Sequence, residues 1–163
     1  FFQQADTLAA IARHYGLRIL LENPGNRVPN VLDHASDVPG LLEQLDSQAF
    51  GINYDIGNLL AHCPDREPLA DAHAAIPLAD HVHLKPCVRR DDRIDFVPLG
   101  DGDIDDTALA AELFRHGKPF SLELPFRLHR DANAQPWRDD QPLPLDSIET
   151  RIARSLQELA SLN

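Results

Sequence analysis

The chain has 163 residues, 43% of them hydrophobic and 25% charged, a length and balance that suit one soluble domain with a real core. Its 26 acidic residues against 15 basic ones give a formal charge of −11, which argues against a general binder of the nucleic-acid phosphate backbone. The sequence shows no run of about 18 apolar residues and no basic-then-apolar leader, so no membrane partner is expected and a cytoplasmic setting is.

Leu8, Ile11, Ala12 and Tyr15 fall at helical spacing between Asp6 and Tyr15, with Gly16 as the stop. Arg18 to Leu21 reads as a strand that runs into Glu22 and the turn-rich Asn23-Pro24-Gly25-Asn26. Asp37 is placed to cap a helix carrying Val38, Leu41, Leu42 and Leu45. A second strand starts near Phe50 and ends at Asp55, where Gly57 would let the chain turn sharply. A helix over about Glu67 to Ala75 follows, then a strand from Ala79 to Leu84.

Pro86 to Asp103 is a long connection with Arg89, Arg90 and Arg93, the last two expected to answer nearby aspartates. Asp105 or Asp106 can cap a helix with Leu109, Ala110, Leu113 and Phe114 on one side, and Pro119 to Leu124 gives a fourth strand. Phe126 to Pro144 lacks a period and reads as irregular, a lid or an arm to another subunit, with Trp137 packing in a core or an interface. Asp146-Ser147-Ile148-Glu149 has the form of a capping box before a last helix bearing Ile148, Ile152, Leu156 and Leu159.

The four strands share one plan, each stopping at a residue able to bind a metal or move a proton: Glu22, Asp55, His83 and Glu123. Roughly 30 to 40 residues separate these positions, room for one helix each time. In a parallel sheet built from such βα units the strand C-termini share one face, and the four side chains would converge there. His81 and His83 lie on one face of their strand, and Lys85 lies on it too. Lys85 there is either a rim lysine or a hold on a substrate oxygen. Cys63 and Cys87 have no close-spaced pairing motif and read as thiols outside any disulfide frame. The sequence holds no methionine and opens on Phe1-Phe2, so residues 1–163 are expected to be one domain and the later part of a longer chain.

Leu20-Leu21-Glu22-Asn23-Pro24, Asn53-Tyr54-Asp55-Ile56-Gly57-Asn58, His81-Val82-His83-Leu84-Lys85, Pro98-Leu99-Gly100-Asp101-Gly102-Asp103-Ile104-Asp105 and Ser121-Leu122-Glu123-Leu124-Pro125 stand in order. Together they resemble the C-terminal half of the xylose isomerase-like TIM-barrel family of sugar phosphate isomerases and epimerases. The resemblance implies an α/β fold, a TIM (β/α)8 barrel of which this chain supplies about four βα units. The other half would lie upstream or be supplied by a second chain in a homo-oligomer. It also implies a single divalent-metal site at Glu22, Asp55, His83 and Glu123, and it selects His83 over His81. Arg89 matches a family arginine that contacts substrate in some epimerases, and Asn58 stands where several members carry a histidine that binds substrate or metal. Val28 departs from a carboxylate found in some ketose epimerases.

Three carboxylates and one imidazole form a hard set suited to Mn²⁺, Mg²⁺ or Co²⁺. Such an ion would stabilise the enediolate formed when a proton leaves the carbon beside a carbonyl, with Glu22 and Glu123 as base and acid on opposite faces. The expected substrate is a small-molecule sugar or sugar phosphate, to be isomerised or epimerised. A keto-sugar or keto-inositol dehydratase would start from the same proton abstraction, and a sugar-binding or inactive barrel fragment would keep the fold without turnover. An abasic-site endonuclease would need several zinc ions and more histidines than this sequence offers there. The remaining histidines, His14, His34, His62, His73, His116 and His129, read as surface or packing residues.

Overall fold

The computed structural model describes residues 1–28, 30–63 and 67–162, with only the backbone of His62; the reading of the His62 side chain therefore lies outside the described residues. The chain runs α1 (Phe2–Tyr15), β1 (Ile19–Glu22), a 3₁₀ turn (Ala35–Asp37), α2 (Val38–Glu43), β2 (Phe50–Asp55), α3 (Ile56–His62), α4 (Pro68–Ala75) and β3 (His81–Leu84). It continues through β4 (Cys87–Arg89), β5 (Arg93–Phe96), α5 (Asp106–Arg115), β6 (Phe120–Leu122), β7 (Leu128–Asp131), β8 (Pro136–Arg138) and α6 (Leu145–Ala160).

β1, β2, β3 and β6 form a four-stranded sheet in that order, parallel throughout. Four parallel strands with helical crossovers are half the eight of a closed TIM barrel. The alternation along each strand sorts its residues. Phe50, Ile52 and Tyr54 of β2 and Val82 and Leu84 of β3 are buried in the core, and Ile19, Leu21, Phe120 and Leu122 pack against it. The other side of the sheet carries Glu22, Asn53, Asp55, His81, His83 and Ser121, polar residues a barrel interior can use. The register Asn53↔His81 and Asp55↔His83↔Ser121 brings them side by side.

Several local expectations change. α1 buries Ala5, Ala9 and Ala12, while Leu8, Ile11 and Tyr15 stay exposed; small alanines let the helix lie close to its support, so the face that packs is the small one. Gly16 ends α1 in the left-handed region at φ 62°, as its position suggests. Asp37 stands before α2 but turns its carboxylate back to the Asp33 and His34 N–H groups, closing the 3₁₀ turn. Asp105 caps α5 through the Ala108 N–H at 3.0 Å. The Asp146–Glu149 capping box does not form, because α6 starts at Leu145 behind Pro144 without a side-chain cap. β3 starts at His81, two residues later than its apolar pattern suggests.

The largest correction concerns the stretch read as a long connection and the one read as irregular. Pro86–Asp103 contains β4 and β5, and Phe126–Pro144 contains β7 and β8; together they make a second, antiparallel sheet in the order β4-β5-β7-β8. His129 on β7 holds it together, between Asp95 at 2.7 Å and Asp139 at 3.0 Å, and stacks on Trp137 at 4.4 Å. Trp137 is 40% exposed on that sheet and not a core residue. Arg90 and Arg93 both pair with Asp95, as expected of cations answering aspartates. Among the described residues no disulfide forms, and no helix is long and apolar enough to cross a membrane.

Candidate metal centre

β2 ends in Asp55, and the chain turns straight into α3, so one carboxylate serves two neighbours. Asp55 Oδ1 accepts the Asn58 N–H at 2.8 Å and caps the helix. Its Oδ2 faces the sheet's polar side, 3.4 Å from Lys85 Nζ and 3.9 Å from His83 Nδ1. The turn needs no positive φ at Gly57; glycine is required because a Cβ there would stand 2.4 Å from the Lys85 carbonyl oxygen.

Glu22 from β1 and Glu123 just beyond β6 reach His83 from either side. Both approach its Nδ1 at 3.3 Å, through Glu22 Oε1 and Glu123 Oε2. One ligand atom from each of Glu22, Asp55, His83 and Glu123 lies within 4.8 Å of the others. Three hard carboxylate oxygens and an imidazole nitrogen at that spacing fit a divalent cation of the Mg²⁺ or Mn²⁺ type. Asp55 is fully buried, whereas Glu22 and Glu123 remain over a third exposed, which leaves the cluster open on one side.

Lys85 is buried at 4% exposure and bridges the acids, 2.8 Å from Glu123 Oε1. Burial pushes the Asp55 carboxyl well above the ordinary carboxylate range, against the pull of the Lys85 charge. Burial also pushes Glu123 up, but the hydrogen bond and charge of Lys85 outweigh it, and Glu123 ends below its usual value. His81 turns to Ser121 Oγ at 3.0 Å and packs edge-on to His83. Burial and the His83 charge push His81 down.

Of the expected substrate contacts, Asn58 and Lys85 join the cluster. The Asn58 amide donates to Glu22 Oε1 at 3.2 Å and to the Asn23 carbonyl at 3.0 Å, and accepts from Lys85 at 3.2 Å. Arg89 is not brought there: its guanidinium donates to the Leu60 carbonyl at 3.0 Å, along α3 and away from the acids. Val28 is 63% exposed.

Three further residues belong to the neighbourhood. Asn23, fully buried, donates to the Asp55 carbonyl at 2.8 Å and accepts the Asp55 N–H at 2.7 Å, tying the end of β1 to the end of β2. Asn53 places its amide nitrogen 3.2 Å from His83 Nδ1; its position two residues before Asp55, on the same face, was the available signal. Arg130 on β7 packs against Asn58 at Gly25, where a glycine Cβ would meet Asn58 Oδ1 at 2.4 Å and Arg130 Nη2 at 2.5 Å. Burial pushes the Arg130 guanidinium down while the charges of Asp55 and Glu123 pull it up. No sequence signal marked it, since its strand was not recognised.

The sequence profile described as xylose isomerase-like TIM barrel matches residues 1–160. No curated protein matches the sequence. Among solved structures, D-psicose 3-epimerase with D-tagatose from Clostridium cellulolyticum H10 is 18% identical with a TM-score of 0.69, over 99% of this chain and 54% of that one. A xylose isomerase-like TIM barrel protein from Mycobacterium smegmatis in complex with magnesium is 20% identical with a TM-score of 0.65, over 99% and 50%. A probable 3-DHS dehydratase from Bacillus anthracis is 18% identical with a TM-score of 0.59, over 75% and 48%. The chain thus spans about half the length of these structures. Matched along nearly its whole length by the family profile, the chain belongs to the xylose isomerase-like TIM barrel family.

Proposed function

We propose that this chain carries the metal-binding part of a divalent-metal-dependent sugar or sugar phosphate isomerase or epimerase, as the C-terminal half of a (β/α)8 barrel. The observation that carries the reading is the meeting of Glu22, Asp55, His83 and Glu123 from four separate strand ends. The half-length match to barrel structures, among them an epimerase with D-tagatose and a magnesium complex, supports it.

A divalent ion held by these four residues would supply Lewis-acid polarisation of a substrate carbonyl. Glu22 and Glu123 come from the two outer strands and flank His83 from opposite sides. One carboxylate takes the proton from the carbon beside the carbonyl, and the other returns a proton to the opposite face, which inverts that carbon. Against the upward push of burial, the hydrogen bond and charge of Lys85 keep Glu123 ionised. Asn58, gripped by Glu22, Asn23 and Lys85, holds the floor on which a hydroxyl rests.

The test has two stages. Mn²⁺ titration of the protein should give about one ion per chain, lost when His83→Ala and Glu123→Ala are combined. A ketose screen with product analysis should then yield an epimer or isomer of unchanged mass. A product lighter by one water would favour the dehydratase reading, which the matched probable 3-DHS dehydratase keeps in view. A folded protein that binds no ion would end the catalytic proposal.

A further inference from the structure

A cavity of about 170 Å³ is walled by Arg27, Arg89, Arg90 and Arg93. We infer that it is a binding site for a phosphate monoester, and that it takes the charged end of a sugar phosphate whose other end meets the acidic cluster. The second clause rests on the function proposed above; the first stands on the cavity alone.

The charge distribution is the first argument. Four of the chain's 15 basic residues surround one cavity in a molecule of net charge −11. Two acids also line it, Asp91 and Asp131, but the Asp131 carboxylate is engaged by the Asn133 and Gln135 N–H groups. Arg90 and Arg93 share Asp95. Arg27 and Arg89 are different: their recorded side-chain hydrogen bonds go to backbone carbonyls, Ala132 at 2.8 Å and Leu60 at 3.0 Å, and among the described residues neither is in an ion pair. Each guanidinium is thereby oriented through one nitrogen and keeps further N–H donors for a ligand. Two planar guanidinium groups lining one small space suit a tetrahedral dianion, which such forks can grip bidentately.

Position is the second argument. Leu60 and Ala61 of α3 line the cavity, and the same helix starts at the Asp55 cap. Five or six residues at ~1.5 Å rise put the cavity about 8 to 9 Å from Asp55 along the helix, of the order of an extended pentose or hexose chain. Gly25 lies close to both Asn58 of the cluster and the Arg130 guanidinium, and among the described residues Arg130 Nε is buried without a hydrogen-bond partner. Arg27 follows Gly25 by two residues and Asp131 adjoins Arg130, so segments that line the cavity are continuous in sequence with residues beside the acidic cluster. This places Arg89 in a role distinct from direct contact at the cluster.

The experiment is calorimetric titration of inorganic phosphate into the protein in metal-free buffer at fixed ionic strength. Saturable binding is expected, weaker by at least tenfold in the Arg27→Ala/Arg89→Ala double variant and unchanged in the His83→Ala/Glu123→Ala variant. Acetate at the same ionic strength should bind more weakly than phosphate. Circular dichroism checks each fold; should the alanine pair unfold, the Arg27→Lys/Arg89→Lys pair, which keeps charge without the fork, should still weaken phosphate at least threefold. No saturable binding by folded protein, acetate equal to phosphate, or indifference to these substitutions would overturn the site. A parallel Mn²⁺ titration separates the two readings: phosphate binding without an ion leaves the cavity and removes the enzyme proposal, and the reverse result does the opposite.

Discussion

The Lys85 ammonium lies 2.8 Å from Glu123 and 3.4 Å from Asp55, so the most buried cation near the candidate metal centre is held by two of its four candidate ligands. Without it, Asp55, Glu123 and Glu22 would face one another across a half-dry space with less positive charge to offset them. Lys85→Met is expected to destabilise the metal-free protein by about 3 to 5 kcal/mol, the usual cost of removing one partner from a buried ion pair. Mn²⁺ should recover part of that loss by supplying positive charge to the same oxygens. Urea unfolding with and without Mn²⁺ checks both; a variant as stable as the parent would mean that the acids do not depend on Lys85.

Asn53 gives a test of how the histidine is held. Its amide nitrogen is 3.2 Å from His83 Nδ1, on the strand next door. A partner of this kind fixes the ring's orientation, and its loss typically lowers metal affinity ten- to a hundredfold. Asn53→Leu should weaken Mn²⁺ binding by about that factor while leaving the circular dichroism spectrum in place. Unchanged affinity would mean that Glu22 and Glu123 suffice to place the ring.

How much of this was legible follows from period and length. The parallel strands could be read because each is apolar at alternate positions and runs into Glu22, Asp55, His83 or Glu123, and alternation also fixes which residues share the polar face. Asp55 could be read as a ligand or as a helix cap; its two oxygens point in two directions, one capping α3 and the other facing Lys85 and His83. The second sheet could not be read, because β7, Leu128-His129-Arg130-Asp131, and β8, Pro136-Trp137-Arg138, lack that apolar alternation. Arg130 was missed with it. The buried face of α1 was missed for another reason: hydrophobicity favours Leu8, Ile11 and Tyr15, while close packing selects Ala5, Ala9 and Ala12.

Gly57 carries a steric prediction. It sits in the first turn of α3 where a Cβ would come 2.4 Å from the Lys85 carbonyl oxygen and 2.8 Å from the Lys85 Cβ. Backbone cannot swing aside as a side-chain end can, so Gly57→Ala must push α3 from β3. A cost of about 1 to 3 kcal/mol is expected despite alanine's better helix propensity. Because the displaced segment carries Lys85 and the Asp55 cap, Mn²⁺ affinity should fall as well. Thermal unfolding and Mn²⁺ titration of the one variant read both effects; a more stable variant would show that the helix stands farther from the strand.

Asp106 should make stability fall as pH rises. It is 1% exposed at the start of α5, and among the described residues neither carboxyl oxygen has a hydrogen-bond partner. Burial, with a smaller push from the Asp105 charge, raises its carboxyl to about 7. In the unfolded chain it would titrate near the ordinary value of about 3.9. Between these two values the folded state holds the proton more tightly than the unfolded one. Stability from this group is therefore complete below about pH 4, is lost progressively towards pH 7, and changes no further above it. A shift of about three units corresponds to an upper bound of about 4 kcal/mol. Asp106→Asn resembles the protonated form at every pH, so variant and parent should be nearly equal in stability at pH 4. The variant should gain on the parent up to pH 7 and hold a constant lead beyond. Urea midpoints across that range provide the measurement, and a lead that fails to grow with pH would mean that Asp106 ionises as freely in the fold as outside it.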